Sequence, residues 1–138
     1  MGCDIHVVLE SRKVGSSEWI GQWCSDNVPM KRGPRVAYRD YGLFQRFGVR
    51  GRSESGPRIL PRNLPEDVSR LAWTHYMRAP TDHHSASWCT PDEFVAMWFE
   101  EHPNSDDVRR EHAVWDLLKI ETDWPEATEH RLVFWFDN

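Results

Sequence analysis

The chain has 138 residues, of which 39% are apolar and 28% charged, a balance that fits a globular domain with a real core and excludes a disordered chain. No apolar run is long enough to cross a bilayer and no signal peptide precedes the first apolar segment, so we expect one domain, residues 1–138, with a cytoplasmic location and no membrane partner. Three cysteines (Cys3, Cys24, Cys89) without a short-spaced pair suit reduced thiols and exclude a disulfide framework, while eight tryptophans suit a core filled by large rings.

Met1 leads directly into an apolar, β-branched run, Cys3 to Glu10, which reads as a strand. Alternation puts Cys3, Ile5, Val7 and Leu9 on a core face and Asp4, His6, Val8 and Glu10 on the other. The Met-Gly-Cys start is not read as a lipidation signal, because His6 occupies the position where Ser or Thr is required. A polar turn with Gly15 follows, and Glu18 to Cys24 reads as a hairpin partner in which Gly21 marks a bulge.

Charge is uneven. Lys31 to Arg62 carries nine basic residues against Asp40 and Glu54, a net of +7, which leaves −12 on the remainder of a chain whose total is −5. Such a block attracts an anion, or its arginines pair with acidic residues elsewhere on the surface. Within it, Asp40 caps a short helix, Tyr41 to Phe47, that buries Leu43, Phe44 and Phe47 and stops at Gly48. The loop from Gly51 to Arg62 brings Arg52, Arg58 and Arg62 together with glycines and prolines, so guanidinium and backbone N–H groups can approach an anion together.

Asn63, Pro65 and Glu66 open the next helix, with Val68, Leu71, Ala72 and His75 inward and Asp67 in the first turn. Thr81 to Cys89 reads as a polar, histidine-bearing loop. It ends at a sharp helix start, with Thr90 as N-cap, Pro91 at the first position and Glu93 reaching back; Phe94, Met97 and Trp98 form the buried face. Cys89 just before that start is a candidate low-pKa thiol, although no base stands beside it in sequence. Ser105 caps a further helix with Val108, Trp115 and Leu118 in a stripe. Arg131 to Phe136 is a strand apolar on both faces, which places it inside a sheet. The fold class that follows is α+β: a small, largely antiparallel sheet including the N-terminal and C-terminal strands, packed with three to four helices.

Two patches carry chemistry: Asp4 and His6 on the first strand, and Asp82, His83, His84 and Ser85 in the later loop. Their imidazoles and carboxylates are the ligands of zinc and manganese sites, so Asp4, His6, Asp82 and His84 form a candidate set for a divalent ion, Zn or Mn. Arg39, Arg50 and Arg62 are candidates for holding an anionic group beside it, a combination suited to phosphoester hydrolysis. The structural alternative is a half-buried His6 bonded to a neighbour and solvated His83 and His84. Neither a Gly-Lys-Ser/Thr phosphate loop nor a dinucleotide fingerprint occurs.

Several segments carry a resemblance: Met1-Gly2-Cys3-Asp4-Ile5-His6, Arg39-Asp40-Tyr41-Gly42-Leu43-Phe44, Gly48-Val49-Arg50, Leu64-Pro65-Glu66-Asp67-Val68-Ser69, His84-Ser85-Ala86-Ser87-Trp88 and Val133-Phe134-Trp135-Phe136-Asp137-Asn138. Together, and in this order, they resemble a family of small uncharacterised proteins encoded by bacteriophages and prophages. The resemblance implies a bacterial host cytoplasm and a polar set of Asp4, His6, Arg39, Asp40, Arg50, Asp67, His84, Ser85 and Asp137. It favours His84 over His83 as the working histidine, because members carry a small residue where His83 stands. It supplies no reaction. Two readings follow. One is a metal-dependent hydrolase of a phosphate-bearing small molecule or nucleic acid, using Asp4, His6, His84 and Ser85. The other is a non-enzymatic phage accessory or anti-defence protein that binds a host protein.

Overall fold

The computed structural model describes residues 4–24, 41–48, 59–101 and 127–137. Its elements run β1 (Asp4–Lys13), β2 (Ile20–Cys24), α1 (Tyr41–Gln45), α2 (Arg70–Tyr76), β3 (His83–Cys89), α3 (Pro91–Glu101) and β4 (Ala127–Asp137). The strands form one antiparallel sheet in the order β2-β1-β4-β3, so the two terminal strands pair with each other at its centre. With three helices among the described residues, this is the α+β architecture expected.

Central position explains the composition of β4. Leu132, Phe134 and Phe136 join Ile5, Val7 and Leu9 under α1 and α3, together with Leu43, Phe44, Phe47, Phe94 and Trp98. Val133 and Trp135 point the other way, with Val8, Cys24 and Ala72, under α2. The sheet is covered on both faces, which is why β4 cannot alternate apolar with polar residues. Phe44 meets Phe134 and Phe136 edge-on, at centroid distances of 5.1 and 5.7 Å. Each such pair contributes about 0.5–1.5 kcal/mol beyond its buried area.

The hairpin between β1 and β2 is present, and its register slips between Leu9 and Glu10, where Gly21 was expected to mark a bulge. A Cβ at Gly21 would stand 2.5 Å from Leu71 Cβ, so the absence of a side chain is what lets α2 lie this close to β2. Gly48, at φ +94°, ends the turn after α1 as expected. Thr90 caps α3 by accepting the Glu93 N–H at 3.2 Å.

Two expectations need correction. Helix α2 begins at Arg70, not near Asn63, and its cap is Ser69, whose Oγ accepts the Ala72 N–H at 3.2 Å. Asn63 is in the left-handed region, at φ 64°. Residues 83–89, read as a loop, form edge strand β3 instead. Their polar run lacks the apolar alternation of a strand, partly because the register against β4 slips between His84 and Ser87, with Ser85 at φ 54°. The expected Asp40 cap and the helix beginning at Ser105 lie outside the described residues, as does Cys3.

A buried ion network fixes α2 to the sheet. Glu10 is fully buried; its Oε1 accepts from Arg131 Nε at 2.6 Å and its Oε2 from the Ser69 N–H at 2.6 Å. Arg131 also donates from Nη1 to Asp67 Oδ1 at 2.9 Å and lies over the Trp19 ring, whose Nε1–H donates to Asp67 Oδ2 at 3.0 Å. Burial pushes the Asp67 carboxyl up, but the hydrogen bond and charge of Arg131, with the Trp19 donor, outweigh it and hold the pKa below its ordinary value. Asp67, expected at the helix dipole, thus braces an arginine.

Candidate metal centre

Antiparallel pairing sets the site. Asp4 stands opposite Asp137, His6 opposite Trp135, and His83 opposite Asp137. Side chains of paired residues share a face, so His6 from β1, Asp137 from β4 and His83 from β3 converge on the side that carries α2. One ligand atom from each lies within 4.8 Å of the others, which makes this a group that could hold a metal ion. Among the described residues no other cluster of three or more His, Cys, Asp or Glu side chains meets that condition.

His6 Nε2 lies 2.6 Å from Asp137 Oδ2. Burial works to raise the Asp137 pKa, but the hydrogen bonds from His6 and from the Asp4 N–H, then the charges of His6 and His83, prevail and hold it below the usual carboxylate value. An ionised Asp137 accepts, so His6 Nε2–H donates. His83 Nδ1 lies 2.7 Å from the Tyr76 carbonyl. A carbonyl can only accept, so Nδ1 carries the hydrogen, and in the neutral ring Nε2 is the nitrogen with a lone pair.

Aromatic rings wall the group. His6 stacks on Trp135 at 5.8 Å and 14°, its centroid is 5.3 Å from that of His83, and Tyr76 packs against both His83 and Trp135 at 5.4 and 5.6 Å. Trp135 is fully buried, and its indole N–H finds no acceptor among the described residues.

The two patches singled out in the sequence do meet, though not through every residue named. His6 is in the group. Asp4 contributes its backbone N–H to Asp137 Oδ1 at 3.3 Å, and its carboxylate is outside the trio. Asp82 is exposed in the turn before β3 and is also outside it. His84 stands opposite Phe136, with ring centroids 6.1 Å apart, and so faces away from His6; its Nδ1 lies 3.1 Å from Ser85 Oγ. In a strand only alternate residues share a face, which is why His83 takes the place expected of His84.

Arg62 is engaged elsewhere. It makes a bidentate pair with Glu93 (Nη1–Oε1 3.1 Å, Nη2–Oε2 2.7 Å), donates to the Trp88 carbonyl at 3.2 Å and lies over the Trp88 ring. Arg46 likewise pairs with Glu100 and Glu101. These two arginines of the basic block follow the pairing alternative rather than anion binding. Arg39 and Arg50 lie outside the described residues. Cys89 is not an activated thiol: it is fully buried, and burial, with the Glu93 charge adding and Arg62 opposing, pushes its pKa well above the ordinary value.

Sequence reasoning named both other members of the trio but left them out of the ligand set. Asp137 was marked only by the resemblance, yet alternation from Arg131 through Val133 and Trp135 puts it on their face, and pairing with β1 brings it beside Asp4. For His83 the signal was hidden, because nothing in residues 81–89 declares a strand. No protein-family model matches the sequence, no curated protein matches it, and no solved structure matches the fold. No described helix is long and apolar enough to cross a membrane.

Proposed function

We propose that this chain is a phage-encoded, metal-dependent hydrolase acting on a phosphate-bearing nucleotide or nucleic acid, with its ion held by His6, His83 and Asp137. The observation that carries this reading is the convergence of two imidazoles and one carboxylate from three adjacent strands. Three protein ligands leave a position open for water, as catalytic sites require. A divalent ion held there would supply a water of lowered pKa and a Lewis acid for a phosphoryl oxygen. The basic residues of 31–62 other than Arg46 and Arg62, which pair with Glu93, Glu100 and Glu101, support an anionic substrate. With Arg62 committed to Glu93, Arg39 and Arg50 are the basic candidates left for the anion. Phage origin rests on the resemblance of the ordered motifs.

The test is metal analysis of protein purified without a histidine tag, followed by phosphomonoester and phosphodiester assays with added Zn or Mn. We expect one ion per chain and hydrolysis that His6→Ala and His83→Ala abolish. No bound metal, together with no effect of Zn or Mn on melting temperature, rules the reading out.

A second reading, a phage accessory protein that binds a host protein, is favoured by Trp73 and Met77. They lie four positions apart at α2, 49% and 44% exposed, and such apolar exposure suits a protein partner. A pull-down from host lysate that yields no specific partner counts against it. Retained benefit to the phage in a folded His6→Ala, His83→Ala double variant favours it over the hydrolase.

A further inference from the structure

The trio's chemistry also bears on which ion it takes and what that ion fastens. We infer that the site selects an imidazole-favouring late first-row ion, zinc or cobalt(II), over manganese, magnesium and calcium, and that binding fastens the end of α2 to the sheet. This rests on the trio being a metal site, as proposed above.

The hydrogen bond from His83 Nδ1 to the Tyr76 carbonyl, at 2.7 Å, fixes the ring tautomer before any ion arrives. Metal-binding histidines are oriented by this arrangement, with one nitrogen donating to a carbonyl and the other left to ligate. Tyr76 is the last residue of α2, so whatever His83 Nε2 binds is tied through one ring to that helix end. His6 and Asp137 supply the other two contacts from β1 and β4. At the 2.6 Å separation of His6 Nε2 and Asp137 Oδ2, a proton fills the gap. Ligand bonds of about 2.0–2.1 Å in a tetrahedral arrangement need the two atoms roughly 3.3 Å apart. An ion there would replace the proton between the two atoms and need them slightly further apart, and His6 would ligate as a neutral ring with its one hydrogen on Nδ1.

Selection follows from the donor set and its walls. Magnesium demands near-octahedral oxygen ligands and keeps its waters, and calcium takes six to eight oxygens. Two imidazoles and one carboxylate against Trp135 and Tyr76 offer nitrogen in an apolar setting. Among divalent ions at nitrogen sites, manganese binds most weakly and cobalt and zinc more strongly.

The experiment uses full-length protein without a histidine tag. Zn, Co(II), Mn, Mg and Ca are compared by thermal shift, and Co(II) binding is read from its visible absorption. Amide hydrogen exchange of residues 70–76 is followed with and without Zn. The variants are His83→Ala, His83→Gln and His84→Ala, each checked for native circular dichroism. We expect Zn and Co(II) to raise the melting temperature of wild type and of His84→Ala, and Co(II) to saturate at one per chain. Both His83 variants should lose that saturation, and Zn should slow exchange in α2. If Mn or Mg stabilises and Zn and Co(II) do not, the selection is overturned while the hydrolase reading stands. If no ion binds, both fall. If His84→Ala alone abolishes binding, the assignment of His83 is wrong. Unchanged exchange in α2 overturns the fastening.

Discussion

Arg131 and Glu10 face each other across β4 and β1, guanidinium Nε to carboxylate Oε1 at 2.6 Å, with Glu10 fully buried. Removing one partner of such a pair leaves an uncompensated buried charge, which costs about 3–5 kcal/mol. Arg131→Met should therefore destabilise the fold by about that amount, as measured by urea unfolding. The double variant Glu10→Leu, Arg131→Met should recover part of the loss, because the stranded charge is gone while the buried Ser69 N–H is left without the Glu10 acceptor. Equal destabilisation by the single and double variants would show that the pair itself, not the orphaned carboxylate, carries the energy.

Gly21 should tolerate no side chain. A Cβ there meets Leu71 Cβ at 2.5 Å and Cδ2 at 2.6 Å, a clash with the root of a side chain packed under α2. Gly21→Ala should cost about 1–3 kcal/mol by overpacking. Adding Leu71→Ala should relieve part of that cost, so the two changes will be less than additive in denaturant midpoints.

Stability should fall in acid with a sign set by Asp67 and His130. The folded-state pKa of Asp67 lies below its ordinary value, so its contribution is present above the unfolded carboxylate range and is lost as pH falls through the folded pKa. Burial lowers the His130 pKa, so its neutral form is favoured in the fold, and stability is likewise lost as pH falls below the ordinary imidazole value. The melting temperature should decline from about pH 7 to about pH 3 in two stages, imidazole then carboxylate. Asp67→Asn should flatten the lower stage, and the gap between it and wild type should narrow as pH falls.

Cys24 and Cys89 are both buried thiols and should be inert in the native state. In a Cys3→Ser background, neither should react with a thiol-specific reagent at neutral pH until denaturant unfolds the chain. Rapid labelling of Cys89 in native protein would contradict its burial and the upward displacement of its pKa.

Much of the fold was written in local pattern. The β-branched run from Asp4, the double-sided apolar run to Phe136, the Thr90-Pro91-Glu93 helix start and Gly48 each declare an element through short-range chemistry. Residues that face the same way on one strand were equally legible, which is how Asp4, His6, Val8 and Glu10 were placed together. The start of α2 was harder. Asn63-Leu64-Pro65-Glu66 imitates a capping box, and Ser69 prevails because Glu10, fifty-nine positions away, accepts its N–H.

The sequence by itself determined the class of fold, the central pairing partners' apolar character and the presence of one imidazole at the start of β1. Only the tertiary structure decided which groups stand beside it. Cross-strand neighbours are set by register, and register is a property of the pairing rather than of either strand. Asp137 reaches His6 because β4 pairs antiparallel with β1. His83 rather than His84 reaches them because β3 starts one residue in phase with Asp137, on a stretch whose own composition carries no strand signal.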